Sequence, residues 1–179
     1  DFNKLLAALR SRSSHRNLNE LYILSPALET AKDFIAKLEI LADMKHGIRL
    51  HSEMRSERIS SDLANLLYRA GFRSLEIGLQ TLRTSALQKV GRHSNPENEL
   101  RGIDHLKRAG IEIKIGIIPG LPGDTADQFI AMVDRLVDLG LHESIELYPL
   151  MVLPGTELRD LADRDNVNYI RKPPYYYNY

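Results

Sequence analysis

Four stretches of the chain open on a glycine and then alternate apolar with polar residues: GIRLHSEMR from Gly47, GFRSLEIGLQ from Gly71, GIEIKIGIIPG from Gly110 and GLHESIELYPL from Gly140. A period of two is a strand signal, because successive side chains leave a strand on opposite faces. A glycine directly ahead suits the left-handed residue that closes a preceding helix. ELYILSP, Glu20 to Pro26, reads as an earlier strand. Helical patterns fill the intervals. Ser60 or Ser61 can cap a helix carrying Leu63, Leu66, Leu67 and Ala70, and Asn95 before Pro96 starts one carrying Leu100, Ile103, Leu106 and Ala109. Asp124 can cap a third, with Phe129, Val133, Leu136 and Val137 on one face. Strand followed by helix, repeated about every 25 to 40 residues, predicts successive βαβ units, right-handed crossovers and a parallel sheet.

The two faces of these strands differ. One carries Ile48, Leu50 and Met54, then Leu75, Ile77 and Leu79, then Ile111, Ile113, Ile115 and Ile117, then Ile145 and Leu147, and is expected to meet the helices. The other carries Arg49, His51, Glu53 and Arg55, then Glu76, Gly78 and Gln80, then Glu112, Lys114 and Gly116, then Glu146 and Tyr148. A sheet covered by helices on both faces would read as continuous apolar runs. Each unpaired buried polar group costs about 1 to 3 kcal/mol, so the polar face is expected to line a wet or ligand-filled cavity. A partial (β/α) barrel, α/β in class and open on one side, supplies such a cavity over residues 1–155, with 156–179 as a C-terminal extension packing on it. The plainer reading of the same residues is a solvated face, or ion pairs such as Lys114 with Glu76 that satisfy only each other.

The strand ends and the turns after them hold Glu53, Gln80 and Arg92. A carboxylate, an amide and a guanidinium together suit the ammonium, hydroxyl and carboxylate groups of an amino acid joined to a ribose. His51, Glu76, Lys114, Glu146 and Tyr148 are candidates for contact with a small-molecule substrate. His51 with Glu53 could chelate, but a hydrogen-bond network is the stronger reading, and no histidine pair has metal-binding spacing. The loop IPGLPGDT, Ile118 to Thr125, has neither the lysine of a phosphate-binding loop nor a GxGxxG pattern. Lysine plus arginine number 24, as do aspartate plus glutamate, so no global field points to nucleic acid or to an anionic membrane. No apolar run approaches the roughly 20 residues of a membrane span, and the expected setting is the cytoplasm. The opening FNKLLAALRSRSSHR starts as a helix and ends in a basic cluster, read as a solvated helix end.

GIIPGLPGDT after a strand resembles a segment near the fifth strand of radical S-adenosylmethionine (radical SAM) enzymes. LEIGLQTLRTSALQKVGR is similar to that family's fourth strand and following helix, LYPLMVLPGTELRDLA to its sixth strand and exit. YIRKPPYYYNY and VLPGTELRDLA look most like cobalamin-binding members, a group that includes the anaerobic magnesium-protoporphyrin monomethyl ester cyclases, and the oxygen-independent coproporphyrinogen oxidases share several motifs. The resemblance implies that S-adenosylmethionine is a cofactor. It further implies that Glu53 helps hold the methionyl amino group, Arg92 binds the carboxylate, Gln80 lies near the ribose, and Ile118 and Gly120 border the adenine. At Gly116 the coproporphyrinogen-oxidase branch has an aspartate for the ribose hydroxyls; this chain has none, leaving those contacts to Gln80 or water.

The largest departure is the absence of cysteine. The family's CxxxCxxC loop and [4Fe-4S] cluster therefore have no ligands here. With Asp1 in place of an initial methionine, the expectation is an excerpt of a longer enzyme. The cluster, and a cobalamin-binding domain where the parent has one, would belong to that full-length protein, and the fragment alone would be inactive. The parent would generate a 5′-deoxyadenosyl radical, or methylate or cyclise its substrate, with a tetrapyrrole among the candidates. The alternatives are a degenerate paralogue, a non-catalytic (β/α) scaffold that binds a ligand or partner, and a barrel enzyme acting on a phosphorylated metabolite. Loss of a first strand would leave ELYILSP with an open edge, a route to dimerisation.

Overall fold

In a computed structural model the period-two alternation appears directly as burial. The structure describes residues 2–11, 18–25, 28–164 and 168–176. Along β2 (Arg49–Met54) and β4 (Glu112–Ile117), Leu50, Met54, Ile113, Ile115 and Ile117 are buried, while Arg49, Glu53, Glu112 and Lys114 are exposed. β1 (Glu20–Ile23), β3 (Phe72–Gln80) and β5 (Ile145–Leu147) complete one sheet, in the order β1-β2-β3-β4-β5. The strands run parallel, as expected of a partial (β/α) barrel. Among the described residues the helices are α1 (Phe2–Arg10), α2 (Phe34–Met44), α3 (Ser61–Arg69), α4 (Thr84–Lys89), α5 (Pro96–Arg108), α6 (Ala126–Asp138) and α7 (Glu157–Arg164). The basic cluster that follows α1 lies largely outside the described residues.

The chain divides into two compact units, residues 1–78 with 97–115, and residues 79–96 with 116–179. In the first, Leu38, Leu50, Leu67, Phe72, Leu75 and Leu106 are almost wholly buried between sheet and helices. Each such side chain contributes about 1.5 to 3 kcal/mol by leaving water. Two glycines permit close approaches that no other residue would. Gly71, at φ 101°, ends the turn after α3, and a Cβ there would stand 2.6 Å from the His46 ring. That ring braces the corner: Nδ1 accepts from the Ile48 amide at 3.1 Å, so Nε2 carries the proton and donates to the Ala70 carbonyl at 3.0 Å. Gly102 of α5 lies against the backbone of Ser56, whose carbonyl oxygen is 1.9 Å from the place a Cβ would take. This contact sets how closely α5 can approach the turn after β2.

The helix starts are partly as read. Ser60 caps α3, its hydroxyl accepting from the Leu63 amide at 3.2 Å, and α5 begins at Pro96. Asp124, however, does not cap α6. Thr125 does, in a reciprocal capping box with Gln128. The reason is the spacing: a threonine followed three residues later by glutamine satisfies two orphan amides at once, which leaves Asp124 to another task.

In the second unit Ala86, Leu121 and Leu150 form one apolar cluster, with Val90, Ile118 and Leu158 against it. Val152, Ala162 and Tyr169 form another, and the Val152 amide donates to the Tyr175 carbonyl at 2.8 Å, fastening the tail. The last alternating stretch departs from expectation. His142–Ser144 form a 3₁₀ turn, β5 is short, Ile145 is only half-buried and Leu147 is 63% exposed. The cause is that α6 turns Met132 and Leu136 inward and leaves Phe129, Ile130, Val133 and Val137 lining an open groove with Ile145 and Leu147.

Candidate functional site

On the polar face of the first unit, strand register places candidate residues in rows. Tyr22 pairs with His51 and His51 with Ser74, while Glu53 pairs with Glu76. The Tyr22 and His51 rings stack at 5.9 Å between centroids, 13° from parallel. His51 Nδ1 is 2.6 Å from Ser74 Oγ, and its Nε2, buried and without a hydrogen bond, is 3.7 Å from a Glu20 carboxylate oxygen. Glu20 in turn is paired with Arg49 at 3.4 Å. Two carboxylates in register, Glu53 and Glu76, repel across the strands. The Tyr22 hydroxyl donates to Glu76 and offsets part of that cost. The structure thus links His51 to Glu76 through Tyr22, with Ser74 bonded to His51 alone, and Glu53 and Lys114 are exposed on their strands.

Tyr22 and Ser74 escaped the sequence reading, although Tyr22 shares the polar parity of Glu20 in ELYILSP. Beyond β2, Glu29, Asp33, Arg55, Glu57 and Arg58 line a charged cleft of about 630 Å³. Another cavity, about 620 Å³, is apolar and lies among α1, β1 and α2, lined by Phe2, Leu5, Leu21, Phe34 and Leu38. None of the predicted site residues lines it.

The second unit holds the other candidates. Gln80 ends β3 in a left-handed conformation, φ 65°, uncommon for a residue with a side chain. Its carbonyl accepts from the Ile118 amide at 2.9 Å, tying the end of β3 to the first residue of the loop 118–125. Gly120, at φ 73°, and Gly116 are half-buried; the Ile118 side chain is spent in the Ala86–Leu121–Leu150 cluster, so what the loop offers a ligand is mainly backbone. Arg92 follows α4, its amide closing on the Leu87 carbonyl at 2.9 Å and its Nε donating to Ser94 Oγ at 3.0 Å. The Tyr148 hydroxyl donates to Glu146 at 2.7 Å, and the Tyr148 amide donates to the Ile117 carbonyl. The site therefore gathers Gln80 with Ile118, and Glu146 with Tyr148, by direct bonds, while Arg92 is held through Ser94.

No group of three or more histidine, aspartate and glutamate side chains among the described residues could hold a metal ion. With no cysteine in the chain, a [4Fe-4S] cluster finds no thiolate here. The donor types present, a guanidinium, an amide and the half-buried backbone of a glycine-rich turn in the second unit and the Glu53 carboxylate in the first, are those an adenosylated amino acid calls for.

Comparison with known proteins bears on the fold and the family. A tRNA uridine(34) acetyltransferase of Methanocaldococcus infernus is 24% identical over 119 residues, 65% of this chain and 22% of that protein. The radical S-adenosylmethionine methyltransferase TsrM from Kitasatospora setae, solved with cobalamin and a [4Fe-4S] cluster bound, superimposes with a TM-score of 0.77 at 18% identity, over 97% of this chain and 35% of that one. Coproporphyrinogen III oxidase (HemN) from Escherichia coli gives 0.65 at 19% identity, over 86% and 38%. At such identities the solved structures establish the fold, and the chain spans less than half the length of each of these proteins. The family model described as the radical SAM superfamily matches residues 2–136 of the 179, and the chain belongs to that superfamily.

Proposed function

We propose that this chain supplies S-adenosylmethionine-binding residues to a radical SAM enzyme. The observation that carries the reading is the bond from the Ile118 amide to the carbonyl of a left-handed Gln80, which fixes a glycine-rich turn beside a strand end. In this reading the backbone of residues 118–120 borders the adenine. The Gln80 amide serves the ribose hydroxyls, since Gly116 has no carboxylate to offer, and the Arg92 guanidinium holds the methionyl carboxylate. Glu53, on the first unit, is assigned to the methionyl ammonium from the family resemblance alone. When bound, S-adenosylmethionine supplies an adenosyl radical or a methyl group.

This chain's own part is binding and orientation. His51, Glu76, Lys114, Glu146 and Tyr148 are assigned to a small-molecule substrate. A tetrapyrrole is one candidate, and the likeness to a cobalamin-bound methyltransferase supports a cobalamin-dependent parent as the subfamily. The [4Fe-4S] cluster would be held by residues other than those of this chain.

Calorimetric titration of the complete protein with S-adenosylmethionine tests the assignment. Arg92→Ala or Glu53→Ala is expected to weaken binding at least about tenfold, the loss of one charge-assisted hydrogen bond. Affinity equal to that of the unaltered protein removes the residue concerned from the site.

A further inference from the structure

Asp124, displaced from its expected capping role, is 3% exposed at its side chain, and its Oδ1 accepts no hydrogen bond. Its charge is balanced by Arg83, whose Nε stands 3.5 Å away. A carboxylate buried in this way depends on its partner, because removing one member of a buried pair leaves an uncompensated charge.

Arg83 is itself placed by its neighbours. Its amide donates to Thr81 Oγ1 at 3.2 Å, its carbonyl accepts from Ala86 and Leu87 at the start of α4, and its Nη2 reaches Ser85 at 3.3 Å. The same helix touches the loop twice more. Ala86 packs on Leu121 and Ile118, and Lys89 Nζ would be 2.5 Å from a Cβ on Gly123, a residue at φ 86°. Arg92 closes the turn that ends this helix.

We propose that Arg83 and Asp124 are positioning residues that clamp the loop 118–125 to α4, so that the loop backbone and Arg92 meet an adenosyl ligand in one fixed arrangement. The part concerning the ligand rests on the S-adenosylmethionine reading above; the clamp itself does not. Neither residue touches the ligand in this account. Their influence passes through the loop they hold.

The experiment combines amide hydrogen exchange with calorimetric S-adenosylmethionine binding in the complete protein, for Arg83→Gln, Asp124→Asn, the double variant and the conservative Arg83→Lys. Each single neutral variant is expected to speed exchange of the loop amides about tenfold and to weaken S-adenosylmethionine by a similar factor, a range usual for coupled neighbours. Exchange in β2 and β3 should stay unchanged, and the double variant should be no worse than either single one. Arg83→Lys, which keeps the charge, should fall between the parent and Arg83→Gln, and it serves as the decisive variant if the neutral ones fail to fold. Loop exchange at the parent's rate, acceleration spread equally over the sheet, or additive effects in the double variant would each overturn the clamp. Absence of S-adenosylmethionine binding by the parent would instead overturn the cofactor reading, with loop exchange still deciding the clamp.

Discussion

Gly102 and Gln80 show how single residues separate packing from recognition. At Gly102 a methyl group would meet the Ser56 carbonyl oxygen at 1.9 Å, and backbone cannot swing aside as a flexible side chain can. Gly102→Ala is therefore expected to lower stability by about 1 to 3 kcal/mol through overpacking, read as a lower midpoint in urea unfolding. Gln80 presents the opposite case. Its left-handed backbone costs about 1 to 2 kcal/mol for a residue with a Cβ, while its carbonyl holds Ile118 whatever the side chain. Gln80→Gly is expected to melt no lower than the parent while binding S-adenosylmethionine more weakly. A lower melting temperature with intact affinity would make the glutamine side chain structural.

At the scale of elements, Thr125→Ala removes the hydroxyl of a capping box and should cost about 1 kcal/mol, visible as faster exchange in the first turn of α6. The tail is held by a charged and aromatic latch. The Tyr169 hydroxyl donates to Asp163 at 2.6 Å, Arg171 pairs with Asp163 at 2.8 Å, and Arg159 and Arg171 lie 4.7 and 4.9 Å from the Tyr169 ring centroid. The Tyr169 hydrogen bond, followed by the charges of Arg171 and Arg159, holds the Asp163 carboxyl below its usual range. Burial, then the hydrogen bond to Asp163, pushes the Tyr169 hydroxyl up.

The signs of these two shifts fix where the latch works. A depressed carboxyl stabilises the fold above its ordinary pKa near 4, and that support is lost as pH falls through the lower folded value. A raised tyrosine supports the fold below about pH 10, and that support is lost as pH rises through its higher folded value. The stability difference between the parent and Tyr169→Phe should thus be flat from about pH 5 to 9 and shrink on either side. A difference that grows toward acid or alkali would contradict the latch.

These elements also show what the sequence could and could not disclose. β2, β3 and β4 were legible because one face of each is buried, so burial imposes period two on the residues. β5 forms within the stretch that opens at Gly140 but is shorter and less buried than the alternation implies, because the same alternation can arise where only one short strand segment pairs and the outer apolar residues stay open. The cap of α6 was legible in principle from Thr125 and Gln128. The pairing of Arg83 with Asp124 was not, since residues 41 positions apart carry no local pattern of their meeting. Of the site, the polar parity of each strand was readable, but not that Tyr22 would bridge His51 and Glu76 or that Ser74 would bond the His51 ring.

For the molecule as a whole, strand order bears on self-association. β1 stands at one end of the sheet, and Leu24 just beyond it is 88% exposed. Among the described residues no strand pairs with the outer edge of β1, and such an edge with an apolar neighbour favours pairing between copies, so the chain is expected to self-associate with rising concentration in analytical ultracentrifugation, and Leu24→Lys to reduce this. A monomer at all concentrations would remove the edge from consideration.

The central claim is that the loop 118–125 with Gln80 and Arg92 belongs to an S-adenosylmethionine site, and not to a phosphate cradle. Its most direct test is calorimetry of the complete protein with S-adenosylmethionine and, separately, with a sugar phosphate. The account predicts saturable 1:1 binding of S-adenosylmethionine that weakens in Arg92→Ala, with no heat from the sugar phosphate. Binding of the sugar phosphate alone would contradict it.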